Sequence, residues 1–206
     1  MLDAACGIGT QSLGLLKLGY RVEASDISRA AVDRLKTEAS ARNLHLSARV
    51  DDLRSLSHTT TGSVSAVIAC DNSIPHLLSD AEILQAFRSC YRCLRPGGAA
   101  VFSVRDYAAI ERKTPEILPY GLRYLADRRF LAVQVWEWDG PDHYDLSMYL
   151  ISEFRDGTCE TRVLKSRYYA ISIERLSELL VEAGFADVQR DDDALFQPVV
   201  QGRRAA

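Results

Sequence analysis

A glycine-containing loop near the start of the sequence carries residue types that bind small ligands. The stretch Asp3-Ala-Ala-Cys-Gly7-Ile-Gly9-Thr10 lies between a short apolar run and a helical pattern. Glycines at such a turn allow a tight bend and let a ligand approach the main chain. A dinucleotide fingerprint requires Gly or Ala three positions after Gly9, where this chain has Ser12. The carboxylate of Asp3 favours a ligand with a cationic amine over one with a pyrophosphate.

Two further acidic positions follow the next two predicted strands. Asp26 ends the second strand, where a carboxylate can accept hydrogen bonds from both hydroxyls of a ribose. Asp52 and Leu53 end the third strand, where an acceptor beside an apolar side chain suits an adenine amino group. An ordinary solvated loop residue is the alternative interpretation of each acid.

Polar segments also follow the fourth and fifth predicted strands. The fourth runs into Cys70-Asp71-Asn72-Ser73-Ile74-Pro75-His76-Leu77, and the fifth ends in Arg105-Asp106-Tyr107. Ligands of open α/β sheets lie beyond the carboxyl ends of the strands, so we expect these two segments to hold a second ligand. The alternative for Arg105 is an ion pair with Asp71 or Asp106.

The first half of the chain alternates apolar strand-like runs with helical patterns. Strands are predicted over 1–5, 20–25, 46–50, 64–70 and 99–105, and helices over 10–18, 29–43 and 79–94. Strands that are apolar throughout, with helices between them, are typical of a parallel sheet covered on both faces. The pattern therefore predicts a doubly wound α/β fold.

The pattern changes after Asp106. Three long strand-like runs, 130–138, 144–154 and 160–170, are joined by turn sequences and predict an antiparallel meander. A last helix begins after Ser172, and two short strands close the sheet. We predict one domain over 1–206, with a mostly parallel seven-stranded sheet and an antiparallel β insertion after the fifth strand. The aromatic residues of the meander either cap a ligand pocket or pack the sheet; they are Trp136, Trp138, Tyr144, Tyr149, Tyr168 and Tyr169.

Composition excludes several classes of partner. Lys+Arg 25 against Asp+Glu 28 leaves a net charge of -3 without a basic run, which argues against nucleic acid. No run approaches the roughly 18 apolar residues of a membrane span, and no secretory signal is visible, so we predict a cytoplasmic protein without membrane contact. Cys90-x-x-Cys93 lacks a second ligand pair, which favours two small apolar side chains on one helix face and no metal.

Over nearly its whole length the chain resembles the class I S-adenosylmethionine-dependent methyltransferases. The resemblance implies an enzyme of Rossmann-like methyltransferase fold with S-adenosylmethionine as cofactor. It assigns cofactor binding to three motifs: the first motif, the ribose-binding acid and the adenine-contacting pair. These positions are Asp3, Gly7 and Gly9, then Asp26, then Asp52 and Leu53.

Two shorter segments are similar to the glycine and sarcosine N-methyltransferases, namely 72–77 and 105–107. The similarity implies that Asn72 faces the methyl-transfer site and that Arg105 holds an acceptor carboxylate with its planar fork. His76 and Asp71 are candidates for moving a proton. Methyl transfer is an in-line displacement that depends on positioning and exclusion of water, so a dedicated base is unnecessary.

The predicted function is therefore methyl transfer to the amine of a small, carboxylate-bearing molecule such as glycine or sarcosine. The alternatives are O- or N-methylation of another small metabolite, and a cofactor-binding protein without turnover. Ser12 and Asp3 disfavour a nicotinamide-dependent oxidoreductase.

Two further expectations concern the insertion after the fifth strand and the N-terminus of the chain. Insertions after the fifth strand commonly set the acceptor in this superfamily, so the resemblance assigns acceptor selectivity to 107–170. Family members carry more strand residues before the first motif, so we expect an N-terminally short chain whose cofactor binding is weakened. The sequence makes no prediction of the oligomeric state.

Overall fold

The computed structural model covers residues 1–206 and divides into two compact units. One unit is formed by Met1–Ala108 together with Ser172–Ala206, and the other by Ala109–Ile171. None of the helices combines the length and apolar character needed to cross a membrane.

Eleven strands and four helices make up the chain, with one 3-10 turn at Ile74–His76. In chain order they are β1 (Leu2–Asp3), α1 (Thr10–Lys17), β2 (Glu23–Asp26), α2 (Arg29–Ala41), β3 (Ser47–Val50), β4 (Val64–Ala69), α3 (Asp80–Cys93), β5 (Leu94–Ser103), β6 (Glu116–Tyr124), β7 (Arg128–Asp139), β8 (His143–Phe154), β9 (Cys159–Tyr169), α4 (Ile173–Glu182), β10 (Ala186–Asp191) and β11 (Val199–Arg203).

Sheet A, in the first unit, has seven strands in the order β10-β11-β5-β4-β1-β2-β3. The five strands from β1 to β5 are parallel, whereas β11 pairs antiparallel with both β5 and β10. The predicted doubly wound α/β fold with a mostly parallel seven-stranded sheet is confirmed. Because the parallel strands all end at the same edge, the loops after β1 to β5 meet there.

Three serine caps begin the helices where the sequence predicts them. The side chain of Ser28 accepts from the Ala31 amide, that of Ser79 from the Glu82 amide, and that of Ser172 from the Arg175 amide. Each cap satisfies an amide that lacks a partner within its helix. Cys90 and Cys93 are both fully buried in α3, as predicted for small apolar side chains.

The first and fifth strands depart most from their predicted bounds. The fifth strand was predicted over 99–105, whereas β5 already begins at Leu94 and contains Pro96-Gly97-Gly98. Gly98 fits there because a Cβ would lie 3.0 Å from the Ser65 carbonyl oxygen on the neighbouring strand. The first strand covers only Leu2–Asp3 rather than five residues.

Sheet B, in the second unit, is antiparallel with the strand order β6-β7-β8-β9. The three predicted strands are present as β7, β8 and β9, and a fourth strand, β6, was missed. β6 contains Pro119 and Gly121 with a register shift between them, which obscures the alternation that marks a strand.

The aromatic residues of sheet B pack against one another. Tyr144 stacks on Trp136 with ring centroids 4.6 Å apart and on Tyr168 at 5.1 Å. Such offset stacks stabilise a sheet beyond the area that they bury. These contacts favour the packing interpretation of this cluster.

Candidate active site

A cleft of about 580 Å³ opens beside the carboxyl ends of β1, β2 and β3. Its size falls within the roughly 300–1,000 Å³ of small-molecule sites. The remaining walls come from the segment after β4 and from the start of α3. Five of the predicted site residues line the cleft: Gly7, Asp26, Asp52, Leu53 and His76.

The carboxylate of Asp26 is fixed in direction by two main-chain amides. The Gly7 amide donates to Oδ2 and the Ser28 amide to Oδ1, both at 2.8 Å. Gly7 has φ +51°, and a Cβ placed there would meet nothing within 4 Å. Each carboxylate oxygen keeps a lone pair for a ligand, so Asp26 is presented to the cleft as a rigid acceptor.

Asp3 does not line the cleft, although its chain neighbours Ala4 and Ala5 do. It is 2% exposed and accepts a hydrogen bond from the Ser12 hydroxyl at 2.6 Å. Burial and, to a smaller extent, the nearby charge of Asp26 together raise the pKa of Asp3 to about 6, against the lowering effect of the Ser12 hydrogen bond. Two neighbouring carboxylates of this kind favour a cation as their ligand.

Gly9 also lies outside the cleft wall. Its φ is +96°, and a Cβ at this position would lie 2.2 Å from Cδ1 of Leu35 in α2. Leu35 is fully buried with Cys6 and Ala24, so it has little room to move. Gly9 therefore allows the loop to pack closely on α2 and α1 to begin at the next residue.

The two adjacent acids after β3 have different surroundings. Asp51 is 6% exposed and accepts hydrogen bonds from the main-chain amides of Ser57 and His58, which closes a turn. Asp52 lines the cleft, and its carboxylate pairs with Arg54, whose hydrogen bonds lower its pKa. Asp51 thus closes a turn, and Asp52 is the one of the two acids that lines the cleft.

Arg54 and Glu82 were not predicted, although both line the cleft. Arg54 pairs with Asp52 and with Glu82, which comes from α3 and accepts from the Leu78 amide at 2.9 Å. The Asp52–Arg54 spacing is visible in the sequence. The pairing with Glu82 is not, because 28 residues separate the partners.

Asn72 lies outside the cleft lining and joins the ends of β4 and β5. It is 4% exposed; its Nδ2 donates to the hydroxyl of Tyr107 at 2.8 Å, and its Oδ1 accepts from the Arg105 amide at 3.0 Å. Asp71 and Asn72 both have left-handed backbones, with φ +58° and +62°. Their amides bond to Ser103. These contacts make Asn72 a positioning residue for Arg105.

Arg105 is half-buried, and its positive charge acts on the imidazole of His76, which lines the cleft. The protein around His76 removes water and lowers the pKa of the imidazole; Asp26 opposes this effect and Arg105 adds to it. His76 is therefore close enough to sense both charges. The neighbouring Asp106 is bound by Arg190 at 2.6 Å.

Gln197 is a further polar group that the sequence did not reveal. The Val104 amide donates to the Pro198 carbonyl at 3.1 Å, which continues the antiparallel register and places Gln197 opposite Arg105. The side chain is 6% exposed, and its Oε1 has no hydrogen-bond partner in the chain. A buried amide of this kind is costly unless a ligand satisfies it.

Comparisons with known proteins agree with this geometry. The family model described as "Methyltransferase domain" matches residues 1–98, which contain the glycine loop, Asp26 and Asp52. The putative methyltransferase YqeM of Bacillus subtilis is 26% identical over 191 residues, which are 90% of this chain and 72% of that protein. The glycine/sarcosine/dimethylglycine N-methyltransferase of Actinopolyspora halophila is 30% identical over 111 residues, covering 53% of this chain and only 20% of that protein.

A solved structure shows the same fold. CalS10 of Micromonospora echinaspora, an amino pentose methyltransferase with S-adenosylmethionine bound, superposes with a TM-score of 0.81 over 99% of this chain and 82% of that one. Its sequence identity is 16%, so the likeness concerns the fold alone. The family model and the relatives show that the chain is similar to S-adenosylmethionine-dependent methyltransferases, and the solved structures show that it has their fold.

Proposed function

We propose that the acceptor of the methyl group is the amine of a small, carboxylate-bearing molecule of the glycine or sarcosine type. The observation that carries the proposal is the placement of Arg105 at the end of β5. The Arg105 amide donates a hydrogen bond to Asn72, and the Arg105 charge lowers the pKa of His76 in the wall of the cleft. A guanidinium in such a place binds a carboxylate through two parallel hydrogen bonds.

The cleft fits the cofactor, and we assign its parts accordingly. Asp26 would accept the ribose hydroxyls, since both of its oxygens are already oriented by amides. The open space at Gly7 admits the cofactor against the main chain. Asp52 and Leu53 would meet the adenine, and the buried charge of Asp3 would balance the methionine amine. S-adenosylmethionine supplies an electrophilic methyl group on a positive sulfonium.

The chain's own residues then position the acceptor. Arg105 would bind the acceptor carboxylate, and the unpartnered Oε1 of Gln197 would accept a hydrogen bond from the acceptor amine. The amine must be neutral to attack, and proximity to positive charge favours loss of its proton. His76 lines the cleft and has a lowered pKa, so it would take that proton. The segment 107–170 is the proposed source of selectivity among such acceptors.

The test is an acceptor panel with variants of Arg105. Purified protein, S-adenosylmethionine and glycine, sarcosine, glycinamide or tyramine are combined, and the demethylated product is measured. We expect activity with glycine or sarcosine and a large loss with glycinamide. Arg105→Ala should lower kcat/KM by an amount equal to a loss of roughly 2–5 kcal/mol in transition-state stabilisation. Arg105→Lys should be less affected, because lysine keeps the charge without the fork.

Two controls define the result. Affinity for S-adenosylmethionine, measured by calorimetry, should stay unchanged in both Arg105 variants. Gln197→Leu should raise the KM for the acceptor without lowering thermal stability, since leucine removes an unpaired amide. Methylation of tyramine with glycine and sarcosine inert, together with a fully active Arg105→Ala variant, would refute the carboxylate-bearing acceptor. Binding of the cofactor with no turnover on any acceptor would favour a protein without this activity.

A further inference from the structure

A hydrogen bond joins the two ends of the glycine loop. The hydroxyl of Ser12, in the first turn of α1, donates to Oδ2 of Asp3, the last residue of β1, at 2.6 Å. Side chains of a helix point back toward its N-terminus, which directs this hydroxyl at the end of β1. Ser12 stands where a dinucleotide fingerprint requires Gly or Ala, and here its hydroxyl has a partner.

Neither member of this pair reaches solvent. Ser12 is 0% exposed and Asp3 is 2% exposed. A buried hydroxyl or carboxylate is costly without a hydrogen-bond partner, and each of these two side chains satisfies the other. Ser12 is the one side chain that donates to Asp3, and Asp3 forms no ion pair within the chain. The negative charge of Asp3 is therefore left for a cationic ligand to balance.

The surroundings of Asp3 act on its charge in opposite directions. Burial opposes ionisation most strongly, and the negative charge of Asp26, at the end of β2, adds to that effect. The hydroxyl of Ser12 is the strongest influence in the other direction. Cys6 in the loop and Cys70 after β4 also face Asp3, but burial raises the pKa of these thiols to about 12 and about 11, so both stay neutral. Ser12 is thus the side chain that favours the ionised form of Asp3.

We propose that Ser12 is a positioning residue for the cofactor: its hydroxyl holds the Asp3 carboxylate in the charged form and in one orientation for the cationic amine of S-adenosylmethionine. The inference rests on the proposed assignment of Asp3 to that amine. Without the hydroxyl, a larger share of Asp3 is protonated in the ligand-free protein, and binding of the cationic amine must release that proton to solvent. Loss of the Ser12 hydroxyl therefore makes cofactor affinity dependent on pH in the neutral range.

The experiment measures affinity for S-adenosylhomocysteine, the demethylated product, by calorimetry between about pH 5.5 and pH 8. Ser12→Ala should fold, since alanine suits a helix. It should bind several-fold more weakly than wild type at about pH 6 and within about twofold of wild type at about pH 8. The ratio of the two affinities at each pH cancels the titration of groups that both proteins share, such as His76 in the cleft. A loss of equal size at every pH would show a packing role for Ser12 and overturn the proposal.

A second measurement follows Asp3 without any ligand. NMR of the Asp3 carboxyl carbon in the free protein should give a titration midpoint near 6 for wild type and a higher midpoint for Ser12→Ala. Ser12→Thr keeps a hydroxyl and should keep the wild-type midpoint. Ser40→Ala, at an exposed position of α2, is the matched control and should change neither the midpoint nor the affinity. An unchanged Asp3 midpoint in Ser12→Ala would also overturn the proposal.

Asp3→Asn separates this proposal from the assignment on which it rests. If Asp3→Asn binds S-adenosylhomocysteine as tightly as wild type, the assignment of Asp3 to the amine fails, and the role of Ser12 falls with it. If Asp3→Asn binds weakly while Ser12→Ala keeps the wild-type pH profile, the assignment stands and the role of Ser12 alone is overturned. Because both residues act through one carboxylate, the double variant should bind no more weakly than Asp3→Asn.

Discussion

The two ends of the ligand-binding edge of sheet A are built differently. At the end formed by β1, β2 and β3, the acids are held by partners nearer in sequence: Asp26 by the amides of Ser28, two residues later, and of Gly7, 19 residues earlier, and Asp52 by Arg54 two residues later. At the end formed by β4 and β5, the polar groups are held by each other across the sheet, with Asn72 bonded to main chain and side chain more than 30 residues away.

This difference bears on the two proposed functions of the edge, cofactor binding and acceptor binding. Residues at the first end lie on turns whose geometry depends on a glycine or an aspartate at a set spacing, and we propose that this end binds the cofactor. Residues at the second end depend on which loops the sheet brings together. We therefore expect substitutions at the first end to change cofactor affinity and substitutions at the second end to change acceptor kinetics.

The largest effect on stability should follow from Gly9→Ala, a substitution in the loop after β1 at the first end. A methyl group here would strain a left-handed backbone and press on the buried Leu35. We expect a loss of about 2–4 kcal/mol in the free energy of unfolding, measured by urea denaturation. Gly14→Ala is the control: it lies in α1 with open space around it and should gain up to about 1 kcal/mol. A Gly9→Ala variant as stable as wild type would mean that the close packing on α2 is unimportant.

The next effect concerns the cofactor alone. Asp26→Ala should lower affinity for S-adenosylmethionine about ten- to a hundredfold, because a charge-assisted contact worth roughly 1.5–3 kcal/mol is removed. Calorimetric titration measures it, and Asp33→Ala, an exposed acid on α2, is the control. Unchanged affinity in the Asp26 variant would break the assignment of the first end to the cofactor.

Asp3 and Asp51 offer a test with opposite signs. The folded-state pKa of Asp3, about 6, exceeds the ordinary aspartate value of 3.8, so the fold favours its protonated form. Stability of the ligand-free protein therefore decreases as pH rises from about 4 to 6, and the full cost persists above that range. For Asp51, burial is outweighed by hydrogen bonds from His58 and Ser57 that lower its pKa. Its contribution is present at neutral pH and is lost as pH falls through the lowered value.

We accordingly expect Asp3→Asn to stabilise the ligand-free protein at pH 7.5 by about 1–3 kcal/mol while weakening cofactor binding. The gain should shrink at pH 4.5, where the wild-type carboxyl is protonated. Asp51→Asn should instead destabilise at pH 7.5. Urea denaturation at both pH values measures these changes. A stabilised Asp3→Asn variant with wild-type cofactor affinity would remove Asp3 from the cofactor site.

The sequence was informative about the first end for a physical reason. Asp26 and Gly7 belong to turns in which residue type and spacing determine the backbone, so their placement in one cleft could be predicted. The sequence did not show which residue of each motif lines the cleft and which one packs. Gly9 packs on Leu35 and does not line the cleft. Asp51 accepts the His58 amide and closes a turn, whereas Asp52 lines the cleft.

The second end was less predictable because its contacts are long-range. The pairings of Asn72 with Tyr107 and of Gln197 with the end of β5 arise only when β4, β5 and β11 are aligned in the sheet. The strand β6 was missed for a related reason, since Pro119 and its register shift are acceptable only at an edge. Local propensity contains no signal for either arrangement.

The smallest effect is expected from Tyr107→Phe, which sharpens the division between the two ends. The hydroxyl of Tyr107 accepts from Nδ2 of Asn72, and the ring is 1% exposed, so the substitution removes one buried hydrogen bond and leaves the packing intact. We expect a loss of about 0.5–1.5 kcal/mol in stability. We also expect a decrease of a few fold in kcat/KM for the acceptor, since Asn72 positions the main chain of Arg105. Affinity for S-adenosylmethionine should stay at the wild-type value.

Tyr20→Phe, on an exposed ring of the same unit, is the control and should change none of the three measurements. If cofactor affinity falls as far as the acceptor kcat/KM, the hydrogen bonds of Asn72 support both ends, and the edge functions as one site rather than as two.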